Sequence, residues 1–102
     1  MAQGVIWTQS AADDLEQMAD YIAKDSPYYA STFVQTVLDL SRSLDRFPRR
    51  GRITPEFGDP EIRELLIGNY RLIYKVGETD ISILGLVHGA RNLRDCWKNR
   101  WF

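Results

Sequence analysis

The chain has 102 residues, 44% of them hydrophobic, with a formal net charge of -1 and one cysteine, Cys96. That length and apolar content suit a single globular domain over residues 1–102, with too little chain to cover both faces of a sheet with helices. One cysteine excludes an internal disulfide framework and a cysteine-based metal site, and no window is apolar for the length of a membrane span. A soluble, cytoplasmic protein without metal or cofactor is expected.

The small net charge hides a polarity along the chain. Residues 1–41 carry six acids against Lys24, whereas residues 42–102 carry twelve cations against eight acids. A basic working surface on the C-terminal half, facing a partner of negative charge, follows from this split. The pI near 5.7 argues against direct sequence-specific binding to DNA.

"VIWT", residues 5–8, is β-branched and aromatic and ends at a polar pair, as an opening strand does. Ser10 with Asp13 then reads as a capping box, followed at helical spacing by Leu15, Met18, Ala19 and Ile22, with Asp13, Glu16 and Asp20 on the other side. Ser26 and Pro27 start a second helix whose stripe, Ala30, Phe33, Val34, Val37, Leu38, Ser41, Leu44 and Phe47, runs until Pro48 ends it. The short connection predicts an antiparallel helical hairpin.

Residues 48–60, "PRRGRITPEFGDP", have no hydrophobic period and read as a loop. Three strands follow, "EIRELLI", "YRLIYKV" and "ISILGLVH", joined by Gly68-Asn69 and by "GETD". The expected fold is α+β: two N-terminal antiparallel helices packed on one face of an antiparallel sheet of three to four strands.

Pairing Ile67 with Tyr70 and Val76 with Ile81 puts Leu65, Ile67, Tyr70, Leu72, Tyr74, Val76, Ile81, Ile83 and Val87 on the face under the helices. The opposite, bare face then collects Glu64, Leu66, Arg71, Ile73, Lys75, Ser82, Leu84, Leu86 and His88. In this register His88 lies diagonally across from Arg71, and with Arg91 they form an electropositive cluster suited to a carboxylate or phosphate. A cross-hairpin pair of Arg71 with Glu64 accounts for the same residues equally well.

Glycine-rich phosphate loops, histidine or cysteine metal sets and nucleophile motifs are missing from the sequence, and Asp13 with Asp14 reads as a solvated helix face. The enzymatic option left is metal-free RNA cleavage by Arg71, His88 and Arg91. "RRGR", residues 49–52, is the densest basic run, and the tail "RDCWKNRWF" interleaves cations with Trp97, Trp101 and Phe102.

Over nearly its whole length the chain resembles the RelE/ParE superfamily of type II toxins, which includes plasmid-stabilisation proteins, and most closely its ParE-like branch. The resemblance is carried by "ADDLEQMADYIAKDSP", "LDRFPRRGR", "IRELLIGNYRLIYKV" and "ISILGLVHGAR" in family order. It implies a toxin silenced by a cognate antitoxin, whose acidic, apolar C-terminal segment folds over the toxin. RelE-like members cleave mRNA in the ribosome; ParE-like members inhibit DNA gyrase. The RelE-like pattern implies a basic residue four positions before the "YR" tyrosine and an aromatic hydroxyl about six after the last-strand arginine. Those places hold Leu66 and Trp97 here, while Arg91 matches. The resemblance therefore implies gyrase inhibition by protein contact, with no catalytic residue assigned. A ribosome-dependent nuclease using Arg71, His88 and Arg91, or a relative that has lost toxicity, is the alternative. The residues expected at the antitoxin or target surface are Arg49, Arg50, Arg52, Arg63, Arg71, Lys75, His88, Arg91 and Trp97.

Overall fold

The computed structural model describes residues 4–89 and Leu93. Strand β1 (Gly4–Trp7) leads into helices α1 (Gln9–Ala23) and α2 (Pro27–Ser43), and four strands follow: β2 (Arg52–Ile53), β3 (Ile62–Ile67), β4 (Tyr70–Val76) and β5 (Asp80–His88). The sheet order is β1-β5-β4-β3-β2. β1 runs parallel to β5, and every other neighbouring pair is antiparallel. The α+β architecture agrees with expectation, but the sheet is a mixed one of five strands. The extra strand is the two-residue β2, which the aperiodic loop sequence concealed.

α1 begins two residues earlier than its capping-box signature suggests. Thr8, in place of Ser10, is the N-cap: its Oγ1 accepts from Ala11 N at 3.2 Å and donates to Ile83 O at 2.8 Å. One hydroxyl thus satisfies an orphan helix amide and ties the helix start to β5. Ser26 caps α2 as expected, accepting from Tyr29 N. α2 stops at Ser43, short of Pro48, so its apolar stripe breaks after Leu44, and Phe47 is 61% exposed where the spacing predicted burial.

Under the helices lies the principal core, with Val37 of α2 and Leu44, which caps that helix, against Leu65, Ile67, Leu72, Tyr74, Val76, Ile81, Ile83 and Leu86. The predicted pairings of Ile67 with Tyr70 and Val76 with Ile81 are present. Gly68, at φ 57°, supplies the positive φ that the two-residue hairpin needs at its first position.

The last third of β5 departs from the predicted alternation. Ile73 pairs with Gly85 and Tyr74 with Ile83, leaving Leu84 as the extra residue of a β-bulge. Beyond it every side chain changes face. Leu86 joins the helix-side core, Val87 crosses to the other face, and His88 stands opposite Tyr70 in place of the Arg71 side. Leu86 N, just past the bulge, donates to Asp14 Oδ2 at 3.1 Å, so this carboxylate is half-buried and structural, no part of a solvated pair with Asp13.

The second sheet face is not bare. Ile62, Ile73, Val87 and Leu93 form a smaller apolar cluster there, with Phe57 and Leu84 packed against it. Phe57 comes from the loop between β2 and β3, which folds across this face.

Candidate functional site

Arg71 sits on the second face near the Gly68-Asn69 hairpin, with its side chain only 6% exposed. Its Nη1 and Nη2 donate to the two carboxylate oxygens of Glu56 at 2.8 and 2.7 Å, and its Nε donates to Glu64 Oε1 at 2.9 Å. This is the planar fork geometry that a guanidinium offers a carboxylate. Glu64, fully buried, also accepts from Arg52 Nε, and Glu56 accepts from Leu93 N at 3.2 Å. The Arg71 hydrogen bonds hold Glu56 at a pKa of about 2, well below the ordinary carboxylate value, and the same bonds push Arg71 upward.

Two guanidiniums and two carboxylates cancel in charge. Arg71 and Arg52 with Glu56 and Glu64 thus form an ion-paired clasp without net charge, and the cross-hairpin pair of Arg71 with Glu64 is realised; Arg91, the third member of the expected electropositive cluster, lies outside the described residues. The clasp binds the β2–β3 loop, through Glu56, to the strand pair beneath it. Glu56 was not legible as a partner of Arg71: it lies 15 residues away in an aperiodic loop.

A depression of about 320 Å³ opens beside the clasp, lined by Arg52, Leu66, Gly68, Asn69, Tyr70, Arg71, His88 and Gly89. The fold thus brings Arg52, Arg71 and His88 together, though His88 arrives from the helix-side face. Its imidazole packs edge-on to Tyr70 with ring centres 5.7 Å apart. Arg71 contributes to this depression as a cation whose forked donors are held by its own chain's carboxylates.

The remaining predicted cations lie elsewhere. Arg63 donates to the carbonyls of Pro60, Gly51 and Arg49, at 2.9, 2.9 and 3.3 Å, and so braces the loops on either side of β2. Arg49 pairs with Glu61 at 2.9 Å, and Arg50 donates to Ser43 Oγ at 2.8 Å. These two, with Phe47 and Pro48, line a separate depression of about 610 Å³ where α2 gives way to the basic loop. Lys75 is exposed and lines neither depression. Arg91 and Trp97 lie outside the described residues.

Tyr74 supports the basic loop from below. Fully buried, it accepts from Gly51 N at 2.9 Å, and burial raises its pKa. A Cβ at residue 51 would lie 2.5 Å from Glu64 O and 2.7 Å from the Tyr74 hydroxyl, so only glycine fits there without a shift. Among the described residues no cluster of His, Cys, Asp or Glu could hold a metal ion, and no helix is long and apolar enough to cross a membrane.

Residues 5–93 match the family model of the ParE toxin of type II toxin–antitoxin systems. Toxin RelE2 of Caulobacter vibrioides is 34% identical over 92 residues, covering 89% of this chain and 99% of that protein. Two solved structures share the fold. A chromosomal ParDE toxin–antitoxin system from P. aeruginosa aligns with a TM-score of 0.70 and 24% identity, over 85% of this chain and 96% of the other. The toxin–antitoxin complex RelBE2 from Mycobacterium tuberculosis aligns with a TM-score of 0.63 and 23% identity, over 86% and 99%. With a family model spanning all but the ends of the chain, a relative matched along its whole length, and the helical hairpin on one sheet face that these structures share, the chain belongs to the ParE toxin family of the RelE/ParE superfamily.

Proposed function

We propose that this toxin acts by protein–protein contact, with DNA gyrase as its target, and is neutralised by a cognate antitoxin. The observation that carries this reading is the state of Arg71. A nuclease of this architecture needs a free cation to hold the cleaving phosphate. Here the strand arginine is buried, bound by Glu56 through both Nη atoms and by Glu64 through Nε. To bind phosphate it must give up carboxylate partners, leaving the buried Glu64 only the half-exposed Arg52 and Glu56 without its forked cation. The places of the other nuclease groups hold Leu66 and Trp97, which supports the same reading. A cognate antitoxin as partner is supported by the toxin–antitoxin systems whose folds the chain shares.

The test is a supercoiling assay with purified gyrase beside an mRNA cleavage assay on translating ribosomes. Inhibited supercoiling with intact mRNA is expected; unaffected supercoiling with cleaved mRNA overturns the proposal. In cells, expression without antitoxin is expected to arrest growth with filamentation.

The name of the RelE2 relative favours a second reading, a ribosome-dependent nuclease in which Arg71 and Arg91 hold phosphate and His88 exchanges the proton. It predicts that His88→Gln and Arg91→Ala abolish ribosomal cleavage while the protein stays folded.

A further inference from the structure

On the reading that the target is DNA gyrase, we infer that the outer end of the helical hairpin is the surface that meets it, with exposed tyrosines and carboxylates around the α1–α2 turn receiving lysine and arginine side chains of the target.

Tyr21 on the last turn of α1 and Tyr28 and Tyr29 on the first turn of α2 are 66%, 75% and 66% exposed. Tyrosine supplies large, rigid contact area at low entropic cost, so three such rings left in water around one turn have the composition of interface anchors. Pro27, beside Tyr28, lines a groove of about 530 Å³ between the helices, with Ala19, Ala23, Ala30 and Val34 on its walls and Asp20 among them. An apolar channel holding a carboxylate fits a lysine or arginine side chain, whose methylene stem packs on the alanines while its charged head pairs with Asp20. The tyrosine rings offer the same cations their faces.

The sign of the charge selects the partner. Residues 1–41 carry six acids against Lys24. Glu16, Asp20 and Asp25 are exposed, and among the described residues none of them is paired with a cation. An enzyme that handles DNA neutralises phosphates with lysine and arginine, so its working surface is positive. The acidic hairpin is attracted to such a surface, and the basic C-terminal half is repelled by it.

The turn is held before any partner arrives, which lowers the cost of ordering it on binding. Asp25 N and Ser26 N both donate to Ile22 O, at 3.1 and 3.0 Å, and Ala30 N donates to Ser26 O at 3.1 Å. Ser26 Oγ accepts from Tyr29 N at 3.2 Å, and the Tyr28 and Tyr29 rings stand edge to face with centres 5.8 Å apart.

Supercoiling by purified gyrase holoenzyme, titrated with the whole chain at several salt concentrations, tests the inference. Tyr28→Ala with Tyr29→Ala is expected to raise the half-inhibiting concentration at least about tenfold, as truncating aromatic anchors does. Asp20→Lys is expected to raise it about tenfold and to flatten its salt dependence, since repulsion replaces attraction. Glu78→Gln, at an exposed acid on the β4–β5 turn, is expected to leave it unchanged. The replaced side chains are exposed, so thermal midpoints are expected to stay at the parent value; if the tyrosine pair lowers its midpoint, Asp20→Lys carries the test. Inhibition by the parent with undiminished inhibition by either folded variant overturns this assignment of the surface and leaves the gyrase reading standing. No inhibition by the parent at any concentration overturns both. The assignment is also overturned if the tyrosine variant abolishes self-association in sedimentation, which marks an interface between copies of the chain, or if inhibition by the parent strengthens as salt rises, which marks a contact without charge.

Discussion

The two faces of the sheet are closed by different physics. Under the helices, Leu65, Leu72, Tyr74, Ile81, Ile83 and Leu86 meet Val37 and Leu44 in a continuous apolar core. On the other face, a small cluster of Ile62, Ile73, Val87 and Leu93 shares its space with the buried clasp of Arg71, Glu56 and Glu64. The first face is held by area removed from water, which tolerates any side chain of suitable volume. The second depends on charges that must all be present, because each is costly when its partner is missing. A cation in the middle of a strand therefore need not announce a binding surface; here it fastens a loop.

The comparison is broken most severely by Arg71→Ala, which strips the largely buried Glu56 of its forked cation and leaves the fully buried Glu64 only Arg52. Urea denaturation is expected to show a loss of about 3–5 kcal/mol, the usual cost of orphaning a buried charge. On the helix side, Leu72→Ala is expected to cost about 3 kcal/mol through lost burial and the cavity left behind.

Acid sharpens the contrast. The folded-state pKa of Glu56, about 2, lies below its ordinary value of 4.5, so its stabilisation is fully present above about pH 4.5 and is lost as the pH falls from there toward 2. Denaturation midpoints of the parent should fall through that window. Those of Arg71→Ala should fall less steeply, and the cost of Leu72→Ala should stay constant across it.

Gly51→Ala tests the point where the basic loop rests on both β3 and β4. Its Cβ meets Glu64 O and the Tyr74 hydroxyl, so a loss of about 2 kcal/mol is expected in the same assay. The smallest change is Thr8→Ala, which removes one helix cap, for about 1 kcal/mol.

The same contrast explains what could be read from the sequence. The helical hairpin, the three main strands and the register at Gly68-Asn69 are governed by local periodicity and turn chemistry, and these were legible. Local pattern failed wherever a distant group decided the outcome. Asp14 on α1 holds the amide of Leu86 just past the β5 bulge, and the bulge reverses the facing of Leu86, Val87 and His88. Glu56, in a loop without period, turns the cation of β4 into an interior one. Phe47 kept helical spacing with a helix that had already ended. In each case strict alternation or spacing was extended past the residue where the chain stops obeying it.

The clasp is the centre of this account, since the proposed function rests on Arg71 being held by carboxylates of its own chain. A double-mutant cycle on Arg71→Met and Glu56→Gln, measured by urea denaturation at neutral pH, tests it most directly. Coupled residues in one buried network should give an interaction energy of at least about 1.5 kcal/mol. Single-mutant costs that add to within about 0.5 kcal/mol would contradict the account, because Glu56 would then not hold Arg71 and would not withhold its Nη atoms from a phosphate.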